Sequence, residues 1–229
     1  MLEPLSFSGF LKTLARGKAV WFFSAVLVFE AVTSYFRLGR QTGPQIVISL
    51  IDFIALFILN ALIHASASAY VGLRVLEPAK AIAVFISSSL KLLVVLFPLA
   101  LIIGGLIFLL KPHNIDNHRL MVYFLSPWGA LALCWDGLGN CLAIARASSE
   151  NITGRTYRMA TQHFPIFLPV FALLISIIIL RFVLWIAVGS PTDPNKMNYH
   201  YLTDFLVSLL TSIVAPYLFM IRLKELPAV

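Results

Sequence analysis

Apolar residues run along this chain in long blocks, separated by short stretches of polar or turn-forming residues. Six blocks stand out. The first covers about 19–36, and the second, behind the breaker Gly43-Pro44, covers about 45–73. The third follows Pro78 and runs over 79–110, stopping at Lys111-Pro112. The fourth covers about 120–145, the fifth 164–188 up to Gly189-Ser190-Pro191, and the sixth 201–221. Each block is long enough to cross a hydrocarbon core of about 30 Å as a helix. A membrane barrel would instead alternate apolar and polar residues over strands of about ten residues. The run from Phe171 to Ile179 shows no such alternation. The pattern predicts an all-α polytopic membrane protein. It forms a single membrane domain over 1–229, a bundle of about six transmembrane helices.

Ahead of the first block, Phe7, Phe10, Leu11 and Leu14 recur at helical spacing beside Lys12, Arg16 and Lys18, with Ser6 or Ser8 placed to cap the start. Residues 1–18 therefore read as an amphipathic interfacial helix on the cytoplasmic leaflet, or else as a frayed basic tail that only orients the first span. The first block holds Glu30 and ends in Tyr35-Phe36-Arg37 rather than small residues. A signal-peptidase site is not expected there. Pro98, Pro127, Pro169 and Pro216 fall inside blocks, where a proline is expected to kink a helix.

Composition fixes the solvent. Of 229 residues, 60% are hydrophobic and 12% charged, with a mean hydropathy of +0.92. A soluble domain carries about a quarter charged residues, so too little polar surface is present here to cover a globule. That excludes a soluble enzyme, a disordered chain and a secreted disulfide scaffold. The formal charge of +7 raises nucleic acid as a partner. In a chain this apolar, however, basic residues set topology, and no nucleic acid is expected. With the N-terminus inside, the inner segments hold Lys12, Arg16, Lys18, Arg74, Lys80, Arg146, Arg155, Arg158, Arg222 and Lys224. The outer ones hold Arg37, Arg40, Lys111, Arg119 and Lys196. Ten against five puts both termini in the cytoplasm. Cys134 and Cys141 lie seven residues apart, roughly 10 Å along a helix, too far for a disulfide.

Chemical motifs are few. His64 is the one histidine inside a block, which disfavours a bis-histidine haem. The outer loop holding His113, Asp116 and His118 offers ligand types that suit Zn or Cu, but a solvated polar loop explains it better. There is no Gly-x-Ser-x-Gly elbow, His-Glu-x-x-His, P-loop or dinucleotide glycine pattern. Asp136-Gly137-Leu138-Gly139 is too short for a phosphate cradle. The sequon at Asn151 falls on the predicted cytoplasmic side, where it is not glycosylated. No catalytic residue, cofactor or metal site is assigned.

Packing signals are clearer. Ala61, Ala65 and Ala69 repeat every four residues, as do Gly137, Cys141 and Ala145. Small residues at that spacing let membrane helices approach closely, within one bundle or against a partner subunit. Two sets of charges also fall in or beside the blocks. Lys91 and Asp136 sit near the inner boundary and are expected to approach each other or share a water pocket, although a snorkelling lysine needs no partner. Glu30, Asp52 and Arg181 share one layer roughly 10–12 Å below the outer boundary at 1.5 Å per residue. Charges at that depth are expected to pair, so Arg181 is expected to bond Glu30, Asp52 or both. That layer is either a structural clamp or a polar site for a proton, an ion or a partner's side chain.

The stretch from Ala79-Lys80-Ala81-Ile82 through Ser89-Leu90-Lys91-Leu92 is informative together with Gly137-Leu138-Gly139-Asn140 through Asn151-Ile152-Thr153-Gly154-Arg155. Both resemble the YciC-like family of bacterial six-helix inner-membrane proteins. Relatives of that family include a membrane domain found beside some glycerophosphodiester phosphodiesterases. The resemblance follows the whole chain in helix order and implies a bacterial inner membrane. It implies no activity and no catalytic residue. Glu30, Asp52 and Arg181 depart from the family pattern.

Minimal loops, small-residue stripes and the lack of a catalytic motif lead to one functional expectation. The chain is a non-enzymatic membrane subunit or scaffold packing against membrane lipids and other membrane protein subunits. A transporter or permease subunit is the alternative, and an intramembrane enzyme comes third.

Overall fold

The computed structural model describes residues 5–17, 45–109, 117–188 and 194–226. Among these, every regular element is a helix: α1 Phe7–Arg16, α2 Gln45–Val71, α3 Pro78–Leu109, α4 Asn117–Arg146, α5 Ile152–Gln162, α6 Phe164–Val188 and α7 Pro194–Lys224. Among the described residues, three stretches are long and apolar enough to cross a membrane: Ile54–Val71 in α2, Pro78–Leu106 in α3 and Phe164–Leu184 in α6. The first apolar block, with Glu30, lies outside the described residues, as does the loop holding His113.

Local chemistry sets the helix ends. Ser6 caps α1 by accepting a hydrogen bond from the Gly9 N–H at 3.1 Å. Gly72, at φ +78°, ends α2. The Gly72 N–H reaches the Ala69 carbonyl at 3.1 Å, and the Leu73 N–H reaches the Ser68 carbonyl at 3.0 Å. This is the paired Schellman closure, and glycine is the residue that enters it without steric cost. Pro78 then opens α3, where a missing N–H loses nothing. The same closure ends α4, but Ala147, at φ 56°, occupies the left-handed position. Asn151, at φ 45°, turns the chain a second time into α5. Pro98, Pro169 and Pro216 lie within α3, α6 and α7, each of which continues past its proline as one helix.

Between the fourth and fifth apolar blocks, where Arg146, Arg155 and Arg158 fall, the structure places α5. Its Ile152 and Thr156 are buried. An added Cβ on Gly139 of α4 would lie 3.0 Å from the Thr156 hydroxyl oxygen. Gly139 is seven residues before the end of α4, so α5 folds back along α4 rather than trailing away from it.

Helix α4 is the hub, touching α2, α3, α5, α6 and α7. Its residues from Gly137 to Ala145 are buried without interruption. A helix covered on every side cannot be amphipathic, and this stretch is correspondingly mixed: Gly137, Gly139, Asn140, Cys141, Ala143 and Ala145 between larger apolar residues. Among the described side chains, the hydrophobic core lies toward one end of the bundle. It joins Leu59 to Val71 of α2, Ala81 to Leu92 of α3, Leu138 to Ala145 of α4 and Ala215 to Leu226 at the close of α7. At that end α1 is seated against α2 and α7. Phe10 is fully buried, with its ring 5.1 Å from Tyr217 and 5.7 Å from Tyr70. Burying a side chain such as Phe10 contributes about 1.5–3 kcal/mol, enough to hold a ten-residue helix that would be marginal alone.

Candidate functional site

Among the described residues, the densest polar arrangement lies where α3 crosses α4. Ser87, Ser88 and Ser89 are consecutive, so a helix fans them over three directions. Asn140 of α4 is fully buried opposite them. Its Oδ1 accepts from the Ser88 hydroxyl and, at 3.2 Å, from the Ser89 hydroxyl, while its Nδ2 donates to Ser89 Oγ at 2.9 Å. The Ser88 hydroxyl also reaches its own helix at the Phe85 carbonyl, at 2.9 Å. Ser87 points the other way, 2.8 Å from the hydroxyl of Ser149 in the α4–α5 turn. Lys91 closes this edge by donating to the Ser149 carbonyl and hydroxyl, both at 3.0 Å. The seam thus locks α3 to α4 through a buried amide and to the following turn through an exposed ammonium.

Lys91 and Asp136, expected to approach each other or share a water pocket, are not joined in an ion pair, and the Lys91 ammonium rests on Ser149. Helix geometry gives the reason. Side chains lean toward the N-terminus of their own helix, and α3 and α4 are antiparallel. Lys91 therefore leans toward the α4–α5 turn and Asp136 leans away from it. Asp136 lies one turn before Asn140, with its carboxyl beside the Asn140 amide.

Of the outer charge layer, Arg181 is half-buried on α6, while Glu30 and the Asp52 side chain lie outside the described residues. The small residues are found at close contacts. Gly137 faces the Phe219 ring of α7, and the Cys141 thiol lies 3.9 Å from the Pro216 carbonyl of the same helix. Ala61, Ala65 and Ala145 are buried, with Ala69 half-buried.

A second cluster belongs to α2. His64 is buried, with Nδ1 2.7 Å from the Asn60 carbonyl and its ring edge-on to Phe85 at 4.9 Å. The Nδ1 contact to a carbonyl makes Nδ1 the protonated nitrogen and leaves Nε2 as an acceptor. Among the described residues, Nε2 has no hydrogen-bond partner, and neither has Ser68 Oγ one turn further on. Nor do Trp135 Nε1 and Arg146 Nε of α4. Among the described residues, no three His, Cys, Asp or Glu side chains come together in a way that could hold a metal ion.

Sequence reasoning missed the seam. Asn140 and the serine triplet were its visible signal, since an amide and three hydroxyls in apolar helices need partners. Tyr70 and Tyr217, which hold α1, carried no signal beyond being aromatic residues near helix ends. No family model, no curated protein and no solved structure matches the chain.

Proposed function

We propose that this chain is a six-span protein of a bacterial inner membrane, with both termini in the cytoplasm. It acts as a non-enzymatic subunit or scaffold that packs against other membrane proteins and lipids. One observation carries the reading. The outward side of α3 is apolar without interruption from Leu93 to Leu106 and is exposed at successive turns. Val94 is 71% exposed, Phe97 60%, Leu101 63% and Leu109 80%. On α6, Ile179, Leu180 and Val183 are likewise exposed. Such faces are stable only against hydrocarbon or another apolar helix. The resemblance to the YciC-like family belongs with this proposal and supports its compartment.

Gentle solubilisation, affinity purification and identification of the co-purifying chains test it. A stoichiometric integral-membrane partner is the expected result. A chain that purifies alone and monodisperse from every mild detergent overturns the subunit reading.

A permease subunit is the second reading, favoured by the buried polar cluster of Asn140, Ser88 and Ser89, with the half-buried Asp136 one turn before it, and by the charges placed within apolar blocks. Co-purification of an ATPase would select it over the scaffold.

A further inference from the structure

The side of α1 turned away from the bundle has chemistry that the scaffold reading leaves unused. Phe10 and Leu14 point inward and are buried. Phe7 and Leu11, one turn apart, form a second apolar row, 38% and 40% exposed, with Leu5 just ahead at 39%. Lys12 and Arg16, also one turn apart, form an exposed basic row on the side opposite the buried one. Among the described residues, neither is in an ion pair. The helix is not free to turn these rows elsewhere. The Tyr70 hydroxyl donates to the Ser6 carbonyl at 2.9 Å and accepts from the Ser6 N–H at 3.2 Å. The Tyr217 hydroxyl donates to the Leu5 carbonyl at 3.4 Å, and the Phe7 ring lies 5.2 Å from the Tyr217 ring.

The rows are therefore held at the end of the bundle where α2, α4 and α7 finish and α3 and α6 begin. That end also carries Arg74, Lys80, Arg158 and Lys224, together with Glu77, Glu150 and an Arg222–Glu225 ion pair. An apolar row and a basic row side by side call for hydrocarbon and negative charge in adjacent layers. A leaflet of anionic phospholipid supplies both, with acyl chains beneath and phosphodiesters above. A soluble acidic partner would satisfy Lys12 and Arg16 but leave Phe7 and Leu11 uncovered.

We propose that α1 is a binding surface for anionic phospholipid headgroups. Phe7 and Leu11 insert at the acyl boundary, while Lys12 and Arg16 hold the phosphates. This rests on the membrane reading of the chain, and the test separates the two.

The full chain carrying Leu11→Cys in a Cys134→Ala background, Cys141 being buried, is labelled with an environment-sensitive fluorophore. It is then reconstituted into phosphatidylcholine vesicles containing either brominated phosphatidylglycerol or brominated phosphatidylcholine at equal mole fraction. Phosphatidylglycerol is expected to quench with a relative association constant about tenfold higher, lost at high salt and in Lys12→Gln/Arg16→Gln. Both basic residues are exposed, so the double variant keeps the fold. Equal quenching by the two lipids overturns the proposal, as does no quenching by either or a selectivity that survives the double variant. Extraction of the chain from the same vesicles by alkaline carbonate would overturn the membrane reading itself. Retention with equal quenching overturns only the headgroup site.

Discussion

A β-carbon on Gly137 would come 2.8 Å from Cε2 of Phe219, so α4 and α7 meet with a ring laid directly on a helix backbone. Phe219 is fully buried, and its centroid lies 6.2 Å from that of Phe167 and 5.9 Å from that of Phe171, both on α6. The glycine is thus the floor of an aromatic cluster that ties three helices together.

Gly137→Ala is therefore expected to destabilise the bundle by about 1–3 kcal/mol, the usual cost of forcing a methyl into a packed interior. Thermal unfolding in detergent measures it. Phe219→Leu in the same chain should recover part of the loss, giving a double variant less destabilised than the sum of the singles. Strict additivity would mean that the ring does not rest on Gly137.

The two left-handed closures give a matched pair of expectations. Ala147 holds φ 56° where glycine holds the corresponding place at the end of α2. Relieving an L-residue of that conformation gains about 1 kcal/mol. Ala147→Gly should raise the unfolding temperature, and Gly72→Ala should lower it. If both substitutions moved stability the same way, the closures would not be the cause.

The contrast between helices shows what was readable in the residues. Helices α2, α3, α4, α6 and α7 are legible because their apolar runs are long and, except at the end of α4, are bounded by Gly or Pro. Helix α5 is not. It has polar residues at Thr153, Arg155, Arg158, Thr161 and Gln162, and its buried side rests on only Ile152 and Thr156. That is a stripe too thin to stand out beside its neighbours. The small residues Gly137 and Cys141 announced close packing, although spacing alone did not say against which helix. Lys91 and Asp136 were matched by depth, which takes no account of the opposite lean of side chains on antiparallel helices. The seam around Asn140 needed knowledge of which helices adjoin, and a sequence gives that only indirectly.

Asn140→Leu leaves the Ser89 hydroxyl facing an apolar side chain, while Ser88 keeps its bond to the Phe85 carbonyl. An orphaned buried group costs about 1–3 kcal/mol. The variant should unfold at a clearly lower temperature, and adding Ser89→Ala should restore part of it. A double variant no better than Asn140→Leu would assign the loss to shape rather than to hydrogen bonding.

Tyr70→Phe removes the hydroxyl that both donates to and accepts from Ser6. The expected effect is local. Docking of α1 weakens by about 1 kcal/mol, which is about fivefold faster tryptic cleavage after Lys12 and Arg16 when opening limits the rate. The global unfolding temperature should hardly move. Cleavage unchanged from the parent chain would show that Phe10 and Leu14 alone hold the helix.

Topology is open to a direct check. Single cysteines placed near Glu77 and Asn151 should resist a membrane-impermeant thiol reagent in intact cells, and those near Arg40 and Asn195 should react. The reverse pattern would invert the orientation read from the basic residues.

The burial of α4 on every side from Gly137 to Ala145 also bears on how the protein is made. A helix released into hydrocarbon with the Asn140 amide bare would carry about 2–7 kcal/mol of unmet hydrogen bonding. Helix α3 precedes it from the ribosome and already bears Ser88 and Ser89. The two are thus suited to leave the insertion channel as a hairpin, the serines receiving the amide as it arrives. Biogenesis would then have a required order, and a nascent chain stalled between Leu109 and Asn117 would wait with its hydroxyls turned back on its own carbonyls, as Ser88 already does at Phe85.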